Sequence, residues 1–200
     1  LVLFSYSFRF EVRDLLPILT HPSDKNTIRI YWEQPSRGFS FAGLGSILKF
    51  QQSEKNNSQN INEQIKAAMQ RGVSVSDNSL IGPRIIGGFA FNQYEGSDNT
   101  WENFPRLQFL LPECLGTSTD DGTWLTISRL VHPKDIIEKL AKEFNRTITY
   151  YENRLPVTLP PISRVAVDKF RDVPDRKLYD QIIFSVLGNI KPGKLEKVVI

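Results

Sequence analysis

Apolar and polar residues alternate over residues 4–12, with Phe4, Tyr6, Phe8, Phe10 and Val12 on one side. Period two predicts a half-buried β-strand. Asp14 is placed to cap a short helix over 15–20, where Pro17 is tolerated in the first turn. Residues 28–32 read as a short strand, and Gln34-Pro35-Ser36-Arg37-Gly38 as a turn. Residues 39–50 read as one longer strand containing Gly43 and Gly45. Glycine within a strand marks a bulge or a close backbone approach. The polar stretch 51–62 reads as a loop, and Asn60 with Glu63 resembles a capping box for a helix over 61–71.

A further loop ends at Gly82-Pro83, and 84–91 is strand-like with a second glycine pair, Gly87-Gly88. Two more strands are expected over 106–111 and 123–130, with the turn Thr119-Asp120-Asp121-Gly122 before the second. Pro133 suits the first turn of a helix to Asn145, in which Ile136, Ile137, Leu140, Ala141 and Phe144 recur at helical spacing. A proline-rich connection covers 154–161. A second strong helix is expected over 175–190, where Leu178, Ile182, Ile183, Val186 and Leu187 share a face. Lys191-Pro192-Gly193 stops it, and 195–200 begins a strand. Strands with interspersed helices and short strand connections indicate an α+β fold, mainly antiparallel sheet with packed helices.

Composition changes this picture in a few places. Hydrophobic residues are 40% of the 200, with 13 Phe, 6 Tyr and 3 Trp, so a sizeable core can form and general disorder is excluded. Lys and Arg number 25 against 22 Asp and Glu, a net charge of +3 with the signs interspersed. Without a basic run or an RNA-binding aromatic motif, no nucleic-acid partner is expected. Cys114 is the one cysteine, so no internal disulfide exists and a reducing, cytoplasmic location is expected. There the sequons at Asn56 and Asn145 carry no meaning. No apolar run approaches the roughly 20 residues of a membrane span, so no membrane association is expected. The chain does not start with Met and stops inside the apolar run Val198-Val199-Ile200, which reads as a piece of a longer protein.

Candidate chemistry is sparse. His21 and His132 stand alone, each before a proline, and neither belongs to a metal-ligand spacing. Cys114 reads as a small buried hydrophobe. Gly43-Leu44-Gly45-Ser46 lacks the remaining residues of a dinucleotide or phosphate loop and lies in an apolar strand. Asp120-Asp121 reads as solvated turn residues, and Arg37 as a partner in a turn salt bridge. Lys197 follows the helix stop and opens Lys-Val-Val-Ile. By itself it reads as a lysine at a strand edge with its amine in water. A lysine that accepts protons needs burial or a nearby cation to lower its pKa.

Three stretches together resemble the chorismate-utilising enzyme family, and within it the N-terminal half of isochorismate synthases. They are Ile30 to Ser46 (IYWEQPSRGFSFAGLGS), Arg84 to Phe91 (RIIGGFAF) with Trp101 to Pro112 (WENFPRLQFLLP), and Gly188 to Ile200 (GNIKPGKLEKVVI). The last resembles the lead-in to the family strand K-V-V-L-A-R. Tyr179 stands near a position where relatives often carry Trp, and Ile200 where Leu is usual.

The resemblance implies an N-terminal α+β region over 1–172 and the start of a chorismate-binding catalytic domain over 173–200, truncated at Ile200. It implies the conversion of chorismate to isochorismate, with water added at ring carbon 2 and the carbon-4 hydroxyl lost. It implies Mg²⁺ as cofactor, with no metal ligand in this chain, and Lys197 as the general base that activates water. It also implies service in menaquinone or phylloquinone synthesis, a monomer with chorismate as small-molecule partner, and no turnover by this chain alone. Salicylate synthase, anthranilate or aminodeoxychorismate synthase, and a non-catalytic interaction module of the same architecture are the competing readings.

Overall fold

A computed structural model describes residues 1–12, 14–20, 27–52, 58–78, 80–90, 105–154 and 171–198. They fall into two compact units, Leu1–Leu159 and Pro160–Ile200.

In chain order the first unit holds β1 (Val2–Phe10), α1 (Leu16–Leu19), β2 (Arg29–Gln34), β3 (Phe39–Leu44), β4 (Leu48–Gln51) and α2 (Ser58–Gln70). There follow β5 (Val73–Val75), β6 (Ile86–Phe89), β7 (Leu107–Leu111), β8 (Cys114–Thr119), β9 (Gly122–Val131) and α3 (Ile137–Arg154). Six strands form one sheet in the order β2-β3-β8-β9-β1-β5, and three form another in the order β4-β7-β6. Every pairing is antiparallel except β1 with β5. The α+β expectation with mainly antiparallel sheet therefore holds.

The aromatic side of β1 lies where the alternation puts it. Phe4 meets Phe144 of α3 edge to face, with ring centres 5.4 Å apart. Phe10 joins Leu15, Ile18, Ala42, Leu44, Cys114, Leu125 and Tyr151 in the main core. That core lies between one sheet face and the helices α1 and α3. Gly116 of β8 makes the close seat of α1 available: a Cβ there would run into Ile18 Cδ1 and lie 2.8 Å from Leu15 Cδ2.

The other side of β1 corrects the half-buried reading. Ser5 and Ser7 are buried as well, together with Thr126 and Ser128 on the same face, so both faces of β1 are covered. Their hydroxyls pair across the strand, Ser5 with Ser128 at 2.9 Å and Ser7 with Thr126 at 2.8 Å. A one-residue slip would set these hydroxyls on the aromatic side, so the pairs help to fix register. Ser5→Ala is expected to lower stability by about 1–3 kcal/mol, because it leaves a buried hydroxyl without its partner. Ser5→Ala/Ser128→Ala should cost less than the sum of the two single changes, which urea unfolding of the three variants checks.

The expected long strand over 39–50 is two strands in two sheets. Gly45 takes φ +69°, and its N–H donates to the Ile28 carbonyl at 2.9 Å. The chain turns there, and Ile47 N–H donates to the Leu111 carbonyl. The neighbouring chain turns at the same place, since β7 ends at Leu111 and β8 starts at Cys114. Leu44 pairs with Cys114 in the large sheet and Leu48 with Leu111 in the small one. The two sheets are thus consecutive lengths of one two-stranded ribbon bent at a corner. Gly45–Ile47 and Pro112–Glu113 form the bend, with Glu113 N–H donating to the Leu44 carbonyl.

The helices differ from expectation at their starts. α2 begins at Ser58, so Asn60 lies inside the helix and is not its cap. Residues 133–136 precede α3 as a turn, closed by His132 N–H donating to Asp135 Oδ2 at 2.7 Å. α3 then runs to Arg154, beyond the expected end at Asn145, and brings Tyr150 and Tyr151 onto the core. The second unit contains α4 (Arg176–Ile190), close to its expected bounds, with Asp175 as its N-cap: Asp175 Oδ1 accepts from Leu178 N–H at 2.9 Å.

Candidate functional site

Lys197 follows the end of α4. Gly193 takes φ +74° and Lys194 N–H donates to the Asn189 carbonyl at 3.1 Å, which closes the helix as the stop signal predicts. The described residues after it carry no strand, contrary to the expectation for 195–200. A strand needs a partner for its backbone groups, and the described residues of this unit contain no other strand. Lys197 is exposed, and so are Leu195 and Val198 beside it. Burial of the amine is therefore not supplied by the described residues.

The corner of the ribbon brings together a second group, which the sequence reading did not single out. A cavity of about 380 Å³ opens there, between the sheet and α3. Leu44, Gly45, Glu113 and Cys114 line it from the corner, Arg129 from β9, and Arg146, Tyr150 and Tyr151 from α3. Arg129 Nη1 sits 2.7 Å from Glu113 Oε1 and donates to the Ser128 carbonyl at 2.9 Å. Its guanidinium also lies over the Phe144 ring at 6.0 Å. Arg146 is exposed and makes no hydrogen bond or ion pair with the described residues. Arg129 is the signal the sequence offered: a cation within an otherwise apolar and hydroxyl-bearing strand.

Cys114 forms part of the cavity floor and behaves as the small buried hydrophobe expected of it. Burial pushes its thiol up to about 12, against the lowering effect of the hydrogen bond with Tyr151. The phenol of Tyr151 is raised too, by burial first and then by Cys114. At neutral pH the thiol stays protonated, which removes it as a nucleophile.

The remaining candidates take structural places. Asp120 and Asp121 form an exposed hairpin turn, and the Asp121 carbonyl accepts from Arg9 Nη2 at 3.2 Å. Arg37 lies in a 3-10 turn and makes no ion pair with the described residues, so the expected turn salt bridge is absent there. Gly43 and Gly87 are sites of close approach, to Pro112 and to the β7 backbone, whereas Gly88 faces open space. His132 Nδ1 accepts from Lys134 N–H at 3.1 Å. His21 lies outside the described residues.

A family profile described as "Chorismate binding enzyme" matches residues 1–200. The chain belongs to the chorismate-binding enzymes. It is 30% identical over 138 residues to isochorismate synthase MenF of Bacillus subtilis (strain 168), an alignment that covers 65% of this chain. The chain spans 29% of the length of that curated relative. No solved structure matches it.

Among the described residues, no group of three or more His, Cys, Asp or Glu side chains is placed to hold a metal ion. No described helix is long and apolar enough to cross a membrane.

Proposed function

We propose that this chain is an N-terminal part of an isochorismate synthase, and that Lys197 is the general base of its reaction. The observation that carries the reading is the similarity to isochorismate synthase MenF within a family match over the whole chain. The motif Lys197-Val198-Val199-Ile200 supports the residue assignment through its resemblance to the strand K-V-V-L-A-R.

The chemistry asks for one base and one acid. The base takes a proton from water as its oxygen bonds to ring carbon 2. The carbon-4 hydroxyl leaves with a proton from the acid, and the ring double bonds shift. One water enters and one leaves, so the reaction is an isomerisation. The lysine must be uncharged when it acts and within hydrogen-bond reach of the water. Lys197 is exposed here, so the reading requires a cover over this amine from groups other than the described residues. No step is assigned to the Mg²⁺ expected for the full enzyme, since the described residues hold no group of three or more His, Cys, Asp or Glu side chains placed for a metal ion. A cytoplasmic, monomeric enzyme of quinone synthesis completes the proposal.

The test is product analysis of the full-length enzyme with chorismate in H₂¹⁸O. Isochorismate carrying one solvent oxygen is expected. Salicylate with pyruvate, or an aminated product when ammonium is supplied, would assign the chain to another chorismate enzyme.

A further inference from the structure

We propose that the cavity at the ribbon corner binds a small, ring-bearing monocarboxylate. The charge of the described lining carries the argument first. Arg129 and Arg146 contribute two positive charges and Glu113 one negative, which leaves a single positive charge to be matched. That balance selects a monoanion. Chorismate, with two carboxylates, is not the ligand it favours.

Donor geometry comes second. Arg129 uses Nη1 for both of its bonds, to Glu113 and to the Ser128 carbonyl. Nη2 and Nε have no bond to the described residues. Glu113 and Phe144 fix the guanidinium in place before any ligand arrives. A guanidinium presents its N–H groups as a planar fork that matches a carboxylate. Arg146, at the exposed side of the same cavity, is a second cation without an ion pair among the described residues.

Size and floor come third. A cavity of about 380 Å³ lies at the lower end of small-ligand pockets, which hold a mostly apolar body and a few fixed polar groups. Leu44 and Cys114 are buried and supply an apolar floor, and Tyr150 supplies an aromatic wall. Together these suit a ring with one carboxylate.

Isothermal titration of the full chain with benzoate tests this, with benzamide as the uncharged analogue of the same shape and terephthalate as the dianion. Saturable one-site benzoate binding is expected, at least tenfold tighter than benzamide and tighter than terephthalate. Arg146→Gln, on an exposed helix position, should weaken benzoate at least tenfold while leaving the far-ultraviolet circular dichroism unchanged. Benzoate binding is measured without chorismate turnover, so the result is read independently of the base assignment. Equal binding of benzoate and benzamide, tighter binding of terephthalate, wild-type affinity in Arg146→Gln, or no saturation would each overturn the proposal.

Discussion

Replacing Lys197 by alanine should lower the rate of isochorismate formation by about 10²–10⁴-fold in the full-length enzyme, the span that a positioned acid–base group contributes. Chorismate affinity should change little, because a base acts on the water in the transition state and does not hold the substrate in the ground state. Turnover number and substrate binding are therefore measured separately. Lys197→Arg should fail as well, since a guanidinium stays protonated and cannot accept the proton. Retention of full turnover by Lys197→Ala would remove the assignment and leave the exposed lysine as a solvated surface residue. An equal loss of binding and turnover would point to a role in holding substrate.

Leu125→Ala should destabilise the first unit by about 2–5 kcal/mol, the range for deleting a buried leucine when its surroundings relax only in part. Leu125 is 1% exposed, on an inner strand, in the cluster that includes Ile18 of α1 and Tyr151 of α3. A cavity at this position would open the cluster to which both helices contribute. Such a loss is a large share of a typical domain stability of about 5–15 kcal/mol. Urea unfolding followed by circular dichroism measures it. Val75→Ala, at a position 47% exposed on the edge strand β5, serves as the comparison and should move the midpoint little. A loss under about 1 kcal/mol for Leu125→Ala would show that the cluster does not close around this side chain.

Local patterns that carry their own physics were legible in the sequence. The alternation of β1, the stop at the end of α4 and the Asp120-Asp121 turn all stand in the structure. What the pattern could not show depends on partners distant in sequence. Ser5 and Ser7 look like the wet side of a strand until Thr126 and Ser128 come alongside. β8 escaped notice because Cys114-Leu-Gly-Thr-Ser-Thr has little apolar weight of its own. It is a strand because β3 and β9 pair with it on both sides. The split of 39–50 was half visible: Gly45 marks a break, but only the parallel break at Pro112–Glu113 turns it into a corner.

The candidate site divides the same way. Lys197 comes from a short motif and needs family resemblance to become interesting. The corner cavity draws on positions 44–45, 113–114, 129 and 146–151, and no spacing rule links segments that far apart. Within it, the charge of Glu113 gains its meaning from the guanidinium set beside it by the pairing of β8 with β9.

The doubled bend between the two sheets has a mechanical consequence. One connector would act as a swivel, leaving the smaller sheet free to spin about it. Two short connectors side by side, each bonded to the strand end across from it, oppose that rotation and favour folding about the crease, as with a door on two pins. Any displacement of β4, β7 and β6 relative to the larger sheet must then open or pinch the space beside Gly45 and Glu113.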